Sequence, residues 1–320
     1  MKKLLLINTG GTIAMSEDQT SGKVSPSSEN PIITQSSFFN QFADITVEDL
    51  MNIPSPHMNE ELMLNLSNYI QSISDQYDGI VVTHGTDTLE ETAYFLELTL
   101  DIPIPVVLTG AMRSSNEIGS DGLANLRSSI FVARDEKSHG KGVLVVMNEE
   151  IHTATYVTKT HTTNVATFQT PTFGPIGLIS KNQVIYFQES LHREYYKVNS
   201  ISKKVVLIKT YASMGPELFQ TVLDNNFDGL VIEGLGAGNI PPETLPPIQQ
   251  LLEKNIPIVM VSRAFNGVTE DVYDYVGGGK QLKQMGIIFA QGLSGVKARL
   301  KLSAILNAEI EGEIASAFHL

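Results

Sequence analysis

The chain of 320 residues contains no cysteine. That absence removes disulfide frameworks, thiolate nucleophiles and Cys-ligated metals, although it does not identify a compartment. Positive charge is scarce as well: 22 Lys and Arg stand against 35 Asp and Glu, a formal net charge of -13. Nucleic-acid backbones and anionic membranes both require a positive face, so neither is expected as a partner, while a local basic pocket is still allowed. No apolar run approaches the roughly eighteen residues of a membrane helix. The opening Met1-Lys2-Lys3-Leu4-Leu5-Leu6-Ile7-Asn8 has the positive-then-apolar order of a signal peptide, but its apolar part stops after four residues, too soon for an h-region. The chain as it stands therefore reads as cytoplasmic. A Gly-Lys-Ser/Thr phosphate loop occurs nowhere, and low-complexity tracts and short repeats are absent.

What is present suits a folded globular chain: 42% apolar and 18% charged residues, long enough for one large or two medium domains. Strand-like runs at residues 4–7, 80–83, 104–109, 143–147, 205–209, 230–232, 256–261 and 287–289 alternate with helix-period segments. Leu62, Leu66, Tyr69, Ile70, Ile73 and Tyr77 share a helical face by spacing; so do Leu123, Leu126 and Ile130, and again Leu218, Val222 and Leu223. This alternation predicts an α/β fold with a mostly parallel sheet flanked by helices and its strand-end loops on one edge. The pattern breaks over residues 189–204 and resumes at Val205. A larger N-terminal domain (1–188), a linker (189–204) and a smaller C-terminal α/β domain (205–320) are expected, with a long surface loop inside a single domain as the alternative.

Two strand ends carry candidate chemistry. The first run leads into Thr9-Gly10-Gly11-Thr12-Ile13-Ala14, the second into His84-Gly85-Thr86-Asp87-Thr88. Glycine lets backbone N–H groups approach a ligand, and an adjacent threonine presents a hydroxyl among those donors. That is equipment for attacking a carbonyl and holding the resulting oxyanion, provided a base or proton relay activates the hydroxyl. Taken alone, Thr12 fits a tight strand-to-loop turn in which it caps a following helix. Asp87 with Glu90 three residues later forms a capping box in sequence terms, so Asp87 either caps the following helix, pairs with an ammonium group, or does both. Thr86 alone is a turn hydroxyl. Lys159, within Tyr156-Val157-Thr158-Lys159-Thr160-His161, is a solvated edge-strand lysine unless it lies near Thr86, where its ammonium would bias that hydroxyl toward passing a proton. The polar stretch 16–30 is either an active-site lid or an ordinary exposed connection.

Together these motifs resemble the bacterial L-asparaginase family, in its type II-like glutaminase-asparaginase branch. The likeness continues through Thr109-Gly110-Ala111-Met112-Arg113, Ser120-Asp121-Gly122, Val157-Thr158-Lys159-Thr160, residues 234–239 and Lys297-Ala298-Arg299, in order along essentially the whole chain. The resemblance implies that Thr12 attacks the side-chain amide carbon of L-asparagine, releasing ammonia and leaving an ester that water hydrolyses. It implies a Thr86–Asp87–Lys159 relay and an oxyanion hole of Gly11 and Thr86. Asp87 would bind the substrate's α-ammonium, Ser55 its α-carboxylate, and Ala111 would contact the substrate; by itself Ser55 reads as a turn residue between two prolines. It further implies no cofactor or metal, and a homotetramer assembled as a dimer of dimers. L-glutamine as a weaker substrate is left open, since the choice turns on space for about one methylene.

The chain departs from the family pattern in three places. No tyrosine stands between Thr12 and Tyr69, where the family's mobile loop carries one; Gly22-Lys23-Val24 matches that stretch. Pro56 follows Ser55 in place of a polar side chain, and Ala237 and Asp274 occupy the positions of two residues that a neighbouring protomer usually supplies. Among rival readings, Gly234-Leu235-Gly236-Ala237-Gly238-Asn239 suggests a nucleotide- or small-ligand-binding Rossmann-like module without amidase activity, although its spacing is not Gly-x-Gly-x-x-Gly. His84, His152 and His161 lack i, i+4 ligand pairing and are expected to be structural or at the surface. The amidotransferase component acting on glutamyl-tRNA shares the threonine motifs; the acidic charge and the lack of a domain ahead of the first motif weigh against it.

Overall fold

The computed structural model describes residues 1–17, 24–26, 38–189, 193–308 and 314–319. The tyrosine-free stretch Gly22-Lys23 and most of the expected lid, residues 16–30, lie outside the described residues. The chain divides into two compact units, Met1–Tyr195 and Tyr196–Leu320.

In the first unit the strands are β1 (Lys3–Asn8), β2 (Met15–Glu17), β3 (Val24–Pro26), β4 (Asp44–Asp49), β5 (Gly79–Thr83), β6 (Val106–Thr109), β7 (Val143–Met147), β8 (Glu150–Thr153), β9 (Thr158–Lys159), β10 (Phe168–Gln169), β11 (Gly177–Ser180) and β12 (Gln183–Tyr186). Its longer helices are α1 (Glu60–Ile73), α2 (Leu89–Thr99) and α3 (Gly122–Arg134). The main sheet runs β12-β11-β8-β7-β6-β5-β1-β4, parallel from β4 through β7 and antiparallel beyond. Successive side chains of each central strand face opposite ways. Leu4, Leu6, Val81, Val107 and Leu144 therefore pack with Leu126 and Ile130 of α3, whereas Leu5, Ile7, Ile80, Val82 and Val145 pack with α1 and α2. Being covered on both faces, β5, β6 and β7 are buried at every residue, and this is why they read as continuous apolar runs.

Three of the strands missing from the sequence reading have the opposite character. Edge strand β4 reads Asp-Ile-Thr-Val-Glu-Asp, and β11 and β12 alternate buried and exposed positions, so none forms an apolar run. All three expected helical stripes also need correction. Leu123 and Leu218 are 46% and 49% exposed, since each sits in the first turn of a helix leaving the sheet's carboxyl rim. Tyr77 lies past the end of α1, after a short 3-10 turn, although it still packs against the same core.

The chain passes from β1 to β4 on one side, then crosses to β5, β6 and β7 on the other. Strand order thus reverses about β1, and the carboxyl ends of β1 and β5 flank the resulting crevice, where open parallel sheets receive ligands. The second unit comprises β13 (Val205–Lys209), α4 (Glu217–Asp224), β14 (Gly229–Gly234), α5 (Leu245–Glu253), β15 (Ile258–Ser262), α6 (Gly279–Gln284), β16 (Ile288–Phe289) and α7 (Gly295–Ala308). Its four strands are parallel and adjacent in chain order, without a reversal. Phe219, Leu230, Ile232, Ile248 and Met260 build its core. Among the described residues, no helix is long and apolar enough to cross a membrane.

Candidate active site

Because β1, β5 and β6 run parallel, the loops leaving them start side by side. After β1 the backbone turns through Gly10 and Gly11 at φ +107° and +88°, a region that side chains avoid. A Cβ on Gly11 would stand 2.4 Å from both N and Cα of Gly85, so the two loops touch backbone to backbone. Ser55 joins them, since a Cβ on Gly85 would lie 2.7 Å from its Cβ and Oγ. Thr12 follows directly, half-buried, and opens a short 3-10 turn, Thr12–Ala14. Buried Asn8 braces this turn. Its Oδ1 accepts the Gly10 N–H at 3.1 Å and the Thr83 hydroxyl at 3.0 Å, while its Nδ2 donates to Asp49 Oδ1 at 2.7 Å.

Beyond β5 the fully buried His84 ring lies with Nδ1 2.8 Å from the Gly85 carbonyl and Nε2 2.9 Å from the Thr92 hydroxyl. A carbonyl only accepts, so Nδ1 donates and Nε2 receives the Thr92 proton. Burial pushes the His84 pKa down to about 4, and the imidazole is neutral near pH 7. Across a trans peptide the carbonyl and the next N–H point opposite ways, so His84 turns the Thr86 N–H away from its own ring. Among the described residues, the N–H groups of Gly11 and Thr86 meet no acceptor. Two backbone donors in adjoining loops are thus available to a ligand.

Lys159 reaches this corner from β9, which pairs with β10. Its Nζ donates to Thr86 Oγ1 at 3.0 Å and to Asp87 Oδ1 at 2.7 Å. The lysine side chain is 15% exposed and Asp87 62%, so the ammonium is largely covered while the carboxylate keeps an open side. The solvated edge-strand lysine is therefore not what forms. Nor does the capping box. The N-cap of α2 is Thr88, which makes no side-chain cap bond and instead donates its hydroxyl to the Ser55 carbonyl at 2.8 Å. Glu90 Oε1 accepts the Lys159 backbone N–H at 3.4 Å, and its buried Oε2 has no hydrogen-bond partner among the described residues. An ammonium and a strand amide brought in by the fold have displaced the local partners.

Ser55 opens a 3-10 turn (Ser55–His57) after β4, and its Oγ accepts the Asp87 N–H at 3.3 Å. Ala111, just past β6, is buried, and a Cβ on neighbouring Gly110 would come within 3.2 Å of the Thr86 methyl. Gly11, Thr12, Ser55, Thr86, Asp87, Ala111 and Lys159 therefore gather at one carboxyl edge of the main sheet. Ala237 and Asp274 belong to the second unit: the Ala237 carbonyl accepts the Glu270 N–H, and exposed Asp274 pairs with Lys280 at 2.5 Å. His152 and His161 are occupied locally, by the Thr170 hydroxyl and by the N–H groups of Thr163 and Asn164. Sequence reasoning assigned no role to Asn8, nor to Asp121 beyond its motif. The only available signals were a polar residue ending an apolar run and an acidic residue opening a helix.

Residues 234–239 close on themselves. Leu235 N–H donates to the Asn239 carbonyl at 2.8 Å, and the N–H groups of Gly238 and Asn239 donate to the Leu235 carbonyl at 3.1 and 2.9 Å. Amides that a phosphate would need are already bonded, against a nucleotide loop at this point.

Comparison with known proteins adds an independent observation. The family model described as Asparaginase, N-terminal, matches residues 3–192, and that described as Glutaminase/Asparaginase C-terminal domain matches residues 204–317. The chain is 34% identical over 313 residues to an L-asparaginase of Bacillus licheniformis, covering 97% of each chain. It is 38% identical over 311 residues to a probable L-asparaginase of Deinococcus radiodurans, covering 96% of this chain and 94% of the other. Similarity extends to a component of the glutamyl-tRNA(Gln) amidotransferase of Methanobrevibacter smithii, at 33% identity over 98% of this chain and 74% of that longer one.

Proposed function

The chain belongs to the asparaginase family across both of its units, and from that premise we propose that it hydrolyses L-asparagine to L-aspartate and ammonia with Thr12 as nucleophile. The Thr12 hydroxyl adds to the side-chain amide carbon, and its proton passes by way of the Thr86 hydroxyl, poised by Lys159, to the departing nitrogen. The C–N bond breaks, ammonia leaves, and a β-aspartyl ester remains on Thr12. Water then adds to the ester carbonyl, the bond to Thr12 breaks, the proton returns to its oxygen, and L-aspartate departs. The cycle consumes one water and uses no cofactor.

The Gly11 and Thr86 N–H groups receive the oxyanion of each tetrahedral state, and losing one such donor costs about a hundredfold or more in rate. The open side of Asp87 receives the α-ammonium, Ser55 Oγ the α-carboxylate, and the Ala111 carbonyl the carboxamide N–H. The observation that carries this reading is the Lys159 ammonium seated on both Thr86 and Asp87, in a loop pressed against the glycine preceding Thr12. Thr12→Ala should abolish ammonia release from L-asparagine while leaving the unfolding transition in place. Turnover near the wild-type rate in that variant would remove Thr12 from the nucleophile's role. Running L-glutamine alongside reads the preference between the two amides.

The proposal extends to a homotetramer, a dimer of dimers, in the cytoplasm. Supporting association, Phe265, Val272, Tyr273, Tyr275 and Val276 are all exposed within one short segment of the second unit, a density of apolar surface that favours a partner. Sedimentation at micromolar concentration tests it.

A further inference from the structure

Asp121 occupies the N-cap of α3, where an aspartate ordinarily accepts from the first N–H groups of its own helix. Here it makes no such bond. Its carboxylate turns back to the loop after β6, accepting the Met112 N–H at 3.1 and 3.0 Å on its two oxygens and the Arg113 N–H at 3.0 Å. One turn along, the Asn125 Nδ2 donates to Asp121 Oδ2 and to the Gly110 carbonyl, both at 3.0 Å. Asn125 Oδ1 accepts the Asn148 N–H at 2.9 Å, tying the arrangement to the turn after β7.

These bonds fix the peptide planes on both sides of Ala111. The Gly110 carbonyl is held toward α3 by Asn125, and the Met112 N–H is held toward α3 by Asp121. Since the carbonyl and N–H of one trans peptide oppose each other, the Ala111 carbonyl must point away from α3. Among the described residues no donor meets that carbonyl, although Ala111 is 1% exposed. A buried acceptor without a donor is costly unless a ligand supplies one. The start of α3 also bears on the nucleophile's neighbour: a Cβ on Gly122 would stand 3.0 Å from Ile13 Cγ1 and 3.4 Å from the Ala111 Cβ.

We propose that Asp121, seconded by Asn125, is a positioning residue that aims the Ala111 carbonyl at the N–H of the substrate's carboxamide, and so favours the amide as the group to be cleaved. The inference rests on the amidohydrolase reading above. An amide has an N–H to give that carbonyl; an ester of the same acid has none. The role therefore shows as discrimination between the two, which a merely structural role would not affect.

The test compares kcat/KM for L-asparagine, by ammonia release, with kcat/KM for L-aspartate β-methyl ester, by methanol release, in the wild type, Asp121→Ala and Asp121→Asn. The amide-to-ester ratio should fall about tenfold or more in Asp121→Ala, the scale of one mispositioned hydrogen bond to a reacting group. Asp121→Asn keeps one acceptor oxygen and should lose only about two- to threefold in the ratio, and it decides the matter alone if the alanine variant does not fold. A ratio unchanged in the folded variants, whether both activities persist or both drop together, overturns the positioning role while leaving the amidohydrolase reading intact. A wild-type protein that cleaves neither substrate overturns both.

Discussion

After β1, the loop through Gly10 and Gly11 lies against a second loop, and the Gly11 N–H has no acceptor among the described residues. After β14, a loop equally rich in glycine bonds to itself through the Leu235–Asn239 bridge, and Ser262 Oγ donates to the Gly236 carbonyl within it. Both loops leave the carboxyl ends of buried parallel strands. The difference lies in strand order. Where order reverses about β1, the loops after β1 and β5 meet backbone to backbone and leave the Gly11 and Thr86 N–H groups without an acceptor among the described residues; where β13 to β16 follow in sequence, the glycine loop after β14 spends its amides on itself. Glycine at a strand end permits a site without creating one.

The largest expected effect comes from exchanging equivalent cations in the two units. Lys159→Met removes the ammonium shared by Thr86 and Asp87 and should lower kcat about a hundredfold to ten-thousandfold, the range of a lost proton-transfer group. Lys280→Met removes a comparable ion pair with Asp274, about half exposed, and should leave steady-state kinetics within twofold of wild type, in line with the small worth of surface pairs. Similar losses from both would erase the distinction between the units.

A smaller contrast separates the glycines. Gly11→Ala places a methyl 2.4 Å from the Gly85 backbone at φ +88°, and should cost more than about 3 kcal/mol or prevent folding. Gly236→Ala, at φ +54° with its nearest neighbour 3.8 Å away, should cost only about 1 kcal/mol in denaturant unfolding.

The smallest net effect in the wild type is one of pH, because two opposed contributions in the first unit cancel. Burial lowers the His84 pKa to about 4, so the stability conferred by its neutral form is complete above pH 6.5 and lost as pH falls toward 4. Burial raises the Glu97 pKa to about 7 despite the Val143 N–H and Arg193, so its contribution is complete below pH 4.5 and lost as pH rises through 7. Each is worth ~3 kcal/mol and the two oppose. Stability of this unit should be nearly flat between pH 4.5 and 6.5, and Glu97→Gln should convert that plateau into a rise with pH, read from urea midpoints. A plateau persisting in the variant would show that His84 is not coupled to folding in this window.

Legibility in the sequence followed burial. Strands covered on both faces, such as Ile-Val-Val-Thr at the end of β5, announce themselves as apolar runs; β4, β11 and β12 show one face to solvent and alternate, so they passed unnoticed. In the site, the threonine motifs were readable because Gly10, Gly11 and Gly85 mark where the backbone must turn or touch. The partners were not. Asp87 and Glu90 carry a local capping signal, yet their bonds go to Lys159, which arrives from far along the chain. Asp121 carries the same local signal and likewise abandons its own helix.

By itself the sequence determined the layered α/β architecture, the two strand ends bearing threonine, and the family, because periodicity and glycine placement are local properties written residue by residue. Only the tertiary structure decided that Asp87 binds an ammonium and Asp121 a neighbouring loop instead of capping their own helices, and which strand-end loop keeps its amides uncommitted. Those outcomes depend on competition between local partners and groups distant along the chain, and a buried ammonium or loop amide displaces a helix N–H only once the sheet has brought it within bonding distance.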